Sequence, residues 1–361
     1  MRHSFVATFA PLATAVLVSC TARDVAAPDA RAAGAPAAAF AAASSCSFER
    51  SRKTMRLLAD CTTSETIWIP DGVTLDGARH TITAVDPPGG HFTGAIVENA
   101  GATANVRDLR LTASIADVCD DADARLAGIR FTDASGSITG NVLTGVTQRA
   151  ADGTTSGCQE GFSIWARSRS WIGPAYEVEI RDNTVSDYLK EGIFVSANVA
   201  SHVVGNAVRG SGPQPNQAQY GIEVTTSVPG RIERNRVSDN VYTGGYPAYA
   251  AGINSDSSTG LSVTNNDVMR SSAGIQLFAS RGARVTGNDV TGDRATPCPA
   301  FAPAEPCRFG IQISGSDGRI TGNRLTTLDV GIDLLPPSRR ISIAGNRFRD
   351  VTTEVRGSST P

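Results

Sequence analysis

Lysine is almost missing from this 361-residue chain: Lys53 and Lys190 stand against 31 arginines. We read that bias as the mark of a GC-rich genome. Neither sign of charge dominates, since 33 basic and 35 acidic side chains leave a formal net charge of −2. The balance argues against nucleic-acid wrapping or an anionic membrane surface as the main partner. Aromatics are only 6% of the chain, and there are four histidines. Cysteine and histidine are nowhere clustered at zinc-ligand spacing, so a metal–thiolate centre is not expected. Long apolar runs are missing as well. Phe5 to Val18 is broken by Pro11 and is shorter than the roughly 20 residues that span a bilayer. Disorder along the whole chain is excluded, because 40% of the residues are hydrophobic. Thirty-six glycines suit tight turns and thin strands better than helix bundles.

Arg2 and His3 precede the apolar run, which reads as an export signal. The run ends in Leu17-Val18-Ser19-Cys20, which resembles the lipobox of bacterial lipoproteins. The resemblance implies a lipid on Cys20 and, with Thr21 next, an outer-membrane anchor if the cell has one. An ordinary secretory signal cleaved near Ala22 or later is the other reading. The expected organisation is a signal at 1–19 and a flexible Ala/Pro-rich tether at 20–45. A folded domain with an N-terminal cap follows at 46–355, then a tail at 356–361. A monomer is expected, touching membrane only through the lipid. With Cys20 set aside, six cysteines remain, an even number suited to an oxidising compartment. Cys46–Cys61 and Cys298–Cys307 are close in sequence, which leaves Cys119–Cys158.

A repeat carries the main signal. A Gly-Ile phrase recurs at Gly128-Ile129, Gly161-Phe162, Gly192-Ile193, Gly221-Ile222, Gly252-Ile253, Gly274-Ile275, Gly310-Ile311 and Gly331-Ile332. An aliphatic phrase around Asn141, Asn183, Asn206, Asn235, Asn266, Asn288, Asn323 and Asn346 follows each. The steps from apolar anchor to asparagine are 12, 21, 13, 13, 13, 13, 12 and 14 residues, so only the second departs from the rule. The unit is about 22 residues, with insertions. One such unit cannot bury its own apolar face, whereas coils stacked at a strand spacing of about 4.8 Å can. Asparagine at a turn tolerates a left-handed backbone, and stacked asparagines can hydrogen-bond from coil to coil. The expected fold is all-β, a single-stranded parallel solenoid of about nine or ten coils.

These phrases resemble those of right-handed parallel β-helix proteins of the pectin-lyase-like superfamily. Ile67-Trp68-Ile69-Pro70-Asp71-Gly72-Val73-Thr74-Leu75-Asp76-Gly77 is similar to their first coil. Arg125-Leu126-Ala127-Gly128-Ile129, Gly157-Cys158-Gln159-Glu160-Gly161 and Asp187-Tyr188-Leu189-Lys190-Glu191-Gly192-Ile193 resemble secreted bacterial β-helix proteins. The resemblance covers roughly residues 60–350 and implies a right-handed coil. The Asp-Pro-His stretch of alginate epimerases and the acidic motifs of polygalacturonases are not found in this sequence.

Four insertions, at about 147–159, 209–219, 239–250 and 292–308, fall between an Asn strand and the next Gly-Ile strand. They are expected to wall one side of the solenoid. Another, at about 166–177, lies in the other arc. One residue past each anchor stand Arg130, Ser163, Phe194, Glu223, Asn254, Gln276, Gln312 and Asp333. Three past it stand Thr132, Trp165, Ser196, Thr225, Asp256, Phe278, Ser314 and Leu335. Aromatics, amides and carboxylates on one face suit sugars, and equally an ordinary polar sheet face.

Two residues before the anchor, Glu160 and Glu191 are expected to stack, with Tyr220 next. Such a pair raises one proton affinity, as a general acid requires. Lys190, with Tyr188 and Arg209 or Arg231, fits the cation, base and acid of a uronate lyase; a surface salt bridge is its plainer role. Glu223 and Asp256 on adjacent coils suit an inverting glycosidase pair. The candidate catalytic set is therefore Lys190, Glu191, Glu160, Glu223 and Asp256. The candidate substrate-binding set is Tyr188, Tyr220, Trp165, Asn254, Arg130 and Gln276. Asp120, Asp121 and Asp123 offer oxygen ligands of the kind calcium takes, or form a solvated acidic loop; no cofactor is expected otherwise. His202 reads as structural. The functional expectation is a cell-surface protein acting on polysaccharide as a lyase or glycoside hydrolase. The alternative is a non-catalytic glycan-binding, adhesive or structural envelope protein.

Overall fold

The computed structural model describes residues 44–148, 156–245, 249–295, 297–298 and 306–358. The signal segment, Cys20 and nearly all of the tether lie outside them. Within the described residues the chain is a right-handed parallel β-helix with three strands per coil. The first ladder holds the Gly-Ile strands, as in Ala127–Thr132 paired with Phe162–Arg167. The second holds the strands before each asparagine, such as Ser135–Thr139 paired with Tyr176–Arg181. The third holds those after it, such as Val142–Thr144 paired with Thr184–Ser186. Two strands without the Gly-Ile phrase, Ile67–Ile69 and Ala95–Asn99, extend the first ladder below Ala127–Thr132. At the far end, Arg324–Leu335 and Arg347–Gly357 run unbroken through the third and first ladders.

One isoleucine per coil faces inward: Ile129, Ile164, Ile193, Ile222, Ile253, Ile275, Ile311 and Ile332 are all fully buried. Each contributes about 1.5–3 kcal/mol relative to an exposed side chain. The glycine before each of these isoleucines but Ile164 is there for space. A Cβ on Gly221 would sit 2.5 Å from the Gly252 carbonyl oxygen.

This register corrects the second coil. Its core anchor is Ile164, which pairs with Ile129 and Ile193. Ser163 takes the glycine place, and Phe162 pairs with Ala127 and Glu191. Gly161, which suggested the wrong anchor, serves a different purpose. Its φ is +78°, and a Cβ there would lie 2.4 Å from the Leu189 Cβ. The slip accounts for two residues of the anomalous step of 21; from Ile164 to Asn183 it is still 19, because the insertion between Arg167 and Tyr176 lies in this arc. Trp165 therefore lies one place past the anchor and Arg167 three past it.

The asparagine corner is continuous. Nδ2 of Asn141 donates to Oδ1 of Asn183, and the same bond repeats through Asn206, Asn235, Asn266, Asn288, Asn323 and Asn346 at 2.9–3.0 Å. Each acceptor oxygen also takes the backbone N–H of the asparagine below, as Asn235 Oδ1 takes Asn206 N at 2.9 Å. The left-handed residue is the one before the asparagine. Gly140, Asp182, Gly205, Arg234, Asn265, Gly287, Gly322 and Gly345 have φ of 54–67°. The turn strain thus falls on the neighbour, and the asparagine side chain can point inward to its partner above.

The first coils carry an antiparallel hairpin, Phe48–Arg50 with Thr54–Leu57, and the disulfide Cys46–Cys61 beside it. Cys119–Cys158 and Cys298–Cys307 are also bonded. The three disulfides are those of a domain matured in an oxidising compartment.

Candidate functional site

Four of the insertions leave the solenoid at one corner, between the third and first ladders; residues 149–155, 246–248, 296 and 299–305 of them are not described. The loop 210–219 is fastened beside the first ladder by buried glutamines. Gln217 Nε2 donates to the Cys158 carbonyl at 3.0 Å, and Gln219 Nε2 donates to the Tyr188 and Leu189 carbonyls. Cys119–Cys158 ties the two preceding turns together.

Strand pairing in the first ladder skips the glycine place, so the residue before it leaves the core side. Two columns then run up the outer face. One is Ala127, Phe162, Glu191, Tyr220, Ala251, Ala273, Phe309 and Val330. The other is Glu98, Arg130, Trp165, Phe194, Glu223, Asn254, Gln276, Gln312, Asp333 and Arg356. In the lower coils Phe162, Trp165 and Phe194 pack at 4.8–5.9 Å between ring centroids. The Arg167 guanidinium lies 4.5 Å over Trp165.

The centre of this face holds two carboxyl groups on adjacent coils. Glu191 is 4% exposed and Glu223 9%. Burial, then the charge of Glu223, pushes the Glu191 carboxyl well above the usual range. Burial also raises Glu223, against the bond from Glu191, the Lys190 charge and an Asn254 amide that donates at 3.0 Å. Of the two, Glu191 is pushed the further towards its neutral form, and its interaction with Glu223 favours the charged form of Glu223. Lys190 Nζ donates to the Ala218 carbonyl at 3.0 Å and lies 5.1 Å from the Tyr220 ring centroid. Burial and the two carboxylates hold the Tyr220 phenol protonated. Asp256 is exposed at the rim of the same face and accepts from Ser257 Oγ at 2.8 Å.

Lys190, Glu191, Tyr220, Glu223, Asn254 and Asp256 thus share one patch, and Gln276 continues the column above it. Other expectations are corrected. Glu160 does not stack on Glu191, because Phe162 holds that register place. It is buried and accepts the backbone N–H groups of Asp120 and Leu126 at 2.9 and 2.8 Å, which makes it a turn clamp. Tyr188 is not on the face. It is fully buried and its hydroxyl donates to Asn240 Oδ1. Arg130 is on the face but engaged, in a two-point pair with Glu98 at 2.9 and 2.7 Å. Glu98 was missed because Ala95–Asn99 carries no Gly-Ile phrase.

The three aspartates do not act together. Asp120 faces His91 Nε2 at 3.1 Å, and Asp123 pairs with Arg167. Among the described residues, two groups of three His, Cys, Asp or Glu ligands converge. They are Cys119, Cys158 with Glu160, and Cys298, Cys307 with Asp329. In both, the sulfurs are bonded to each other. A larger concavity, about 1240 Å³, lies elsewhere, on the second ladder.

Residues 175–360 match the family model described as periplasmic copper-binding protein (NosD). No curated protein matches the sequence. Among solved structures, the Dettilon tailspike protein gp208 is similar over 82% of this chain, with 14% identity and a TM-score of 0.51. The chain spans 61% of the tailspike. A double mutant of the periplasmic alginate epimerase AlgG is similar at 12% identity over 85% of each chain, with a TM-score of 0.49. The A-module of the Azotobacter vinelandii mannuronan C-5 epimerase AlgE4 is similar at 14% identity, over 85% of this chain and 88% of that one, with a TM-score of 0.45. At these identities the likeness is one of fold.

Proposed function

The chain belongs to the NosD family, and on that premise we propose that it is an exported β-helix protein that holds a polysaccharide along the outer face of its first ladder. The proposed reaction is β-elimination on a uronate chain. The observation that carries it is the pair of buried carboxyls, Glu191 and Glu223, on adjacent coils beside Lys190 and Tyr220. Lys190 would offset the substrate carboxylate, which acidifies the adjacent ring proton. Glu223, made more basic by burial, would take that proton. The bond to the leaving oxygen then breaks, a carbon–carbon double bond forms, and Tyr220 gives the leaving oxygen its proton. Solvent exchange returns the proton from Glu223 to Tyr220. A hydrolase built on the same two glutamates fits less well, because glycosidase carboxyls flank the sugar about 5–9.5 Å apart, whereas Glu191 is almost fully buried.

Copper, named in the family description, takes imidazole, thiolate or thioether donors. Among the described residues every cysteine is in a disulfide. His80, His91 and His202 each face a carboxylate, Met55 is in the core, and the half-buried Met269 lies among Arg209, Arg236 and Arg270 with no histidine or cysteine in that lining. These residues do not fit a copper centre, and the reaction proposed here does not use one. The lipid on Cys20 belongs to the same proposal, as the means of anchoring an exported domain. Mass spectrometry of the membrane-extracted protein tests it.

A panel of uronate and neutral glycans tests the function. New unsaturated ends, read by ultraviolet absorbance and lost in Glu223→Gln, are expected. Retention on a glycan without turnover supports the second reading, a binding protein, which the 4% exposure of Glu191 favours. Neither turnover nor retention overturns both.

A further inference from the structure

We infer that the second ladder carries a separate docking face for a linear anionic polysaccharide, centred on Arg231, Arg284 and Arg319. The three arginines fall in one outward column. Arg231 pairs in register with Ser262, Ser262 with Arg284, and Arg284 with Arg319. All three side chains are exposed, and none makes an ion pair or side-chain hydrogen bond among the described residues. Several other arginines of this face and its corners are engaged, Arg107 with Asp76, Arg169 with Asp133, Arg181 with Asp182 and Arg340 with Asp317, whereas Arg56 and Arg281 have no such partner among the described residues but stand outside the column. Like charges opposite one another on a sheet destabilise it. An unneutralised column of arginines therefore invites an external anion.

The shape agrees. Arg231 and Arg284 line the concavity of about 1240 Å³, with Ser262 between them. Of the acids that line it, Glu233 faces His202 and Arg234 and Glu179 faces Arg181, while Glu177 has no ion pair among the described residues. His202 Nε2 lies 2.7 Å from Glu233, and the bond from His202 holds the Glu233 carboxyl below its usual range. At the corner between the first and second ladders, the insertion 168–175 leans along the stack, where Ser227 Oγ donates to the Trp171 carbonyl at 3.0 Å. It leaves Trp171 about half exposed and Ile172 almost wholly so.

The column also sets the ligand's form. Rungs repeat at about 4.8 Å, close to the advance of one pyranose along an extended chain. A polymer with one negative group per sugar would meet Arg284 and Arg319 with successive groups, and Arg231 two rungs away. Guanidinium pairs carboxylate or sulfate through two parallel hydrogen bonds. The occupant is therefore an acidic glycan chain, held by charge and spacing and left chemically unchanged.

The test is retention of the purified protein on immobilised polygalacturonate, dextran sulfate and neutral dextran across a salt series. Retention on the two acidic polymers, weakened about tenfold between 50 and 300 mM NaCl by screening, is expected. The triple variant Arg231→Gln, Arg284→Gln, Arg319→Gln should lose retention on dextran sulfate while keeping the wild-type melting temperature. Dextran sulfate has no uronate carboxylate, so its retention reports this face and not the first-ladder site. Unchanged retention of the triple variant on dextran sulfate, equal retention of the wild type on neutral dextran, or tighter binding of duplex DNA than of dextran sulfate overturns the inference.

Discussion

The asparagine corner and the outer face of the first ladder are built on the same coil spacing, yet they differ in kind. The corner repeats one residue eight times, each copy bonded to the next in the same way. The outer face changes residue at almost every coil: Arg130, Trp165, Phe194, Glu223, Asn254. A uniform column is what stacking alone requires. A varied column, placed where burial and like charge disfavour it, points to a demand from outside the fold.

The largest break should come at the corner. Asn235→Ala removes the acceptor for Asn206 N and Nδ2, and the donor to the Val203 carbonyl and Asn266 Oδ1. Leaving several buried groups unmatched should cost about 3–5 kcal/mol, read by chemical denaturation. Glu223→Gln should leave stability near wild type but lower glycan turnover by about 10²–10⁴-fold. Were it instead to unfold the protein, the first-ladder column would be structural like the corner. Tyr188→Phe should cost about 1 kcal/mol for the lost bond to Asn240 and leave glycan binding unchanged.

The smallest effect is the most discriminating. Glu191 binds its proton more tightly in the folded state than in the unfolded chain. Its contribution to stability is therefore present below the ordinary carboxylate range and is lost as pH rises through its raised value. Glu191→Gln should raise the melting temperature at mildly alkaline pH and leave it unchanged in acid. Equal shifts at both would mean that the Glu191 carboxyl is not raised by its burial.

The architecture was readable because Gly-Ile and Asn phrases mark the inward side and one corner, where a wrong residue meets a neighbouring coil at once. The slip on the second coil shows the limit of such reading. Gly161 looks like the repeat glycine, and only pairing shows that Ser163 fills that place. From that slip came the misplaced Trp165 and the false partnership of Glu160 with Glu191. Tyr188 misled for another reason: a phenol in a polar turn looks exposed, but its hydroxyl reaches Asn240 from within. Asp256, Glu223 and Lys190 lie on coils free of such slips, and their common face followed from counting. The arginine column of the second ladder could be counted in the same way; what sequence could not supply was which arginines already had partners.

Each asparagine speaks only to the copies above and below it, so the molecule's length is adjustable. The segment from one asparagine to the next, 22 residues between Asn266 and Asn288, could be duplicated or removed without altering any other joint. A chain built this way behaves as a molecular ruler, in which the number of coils sets how many units of an extended ligand are read at once.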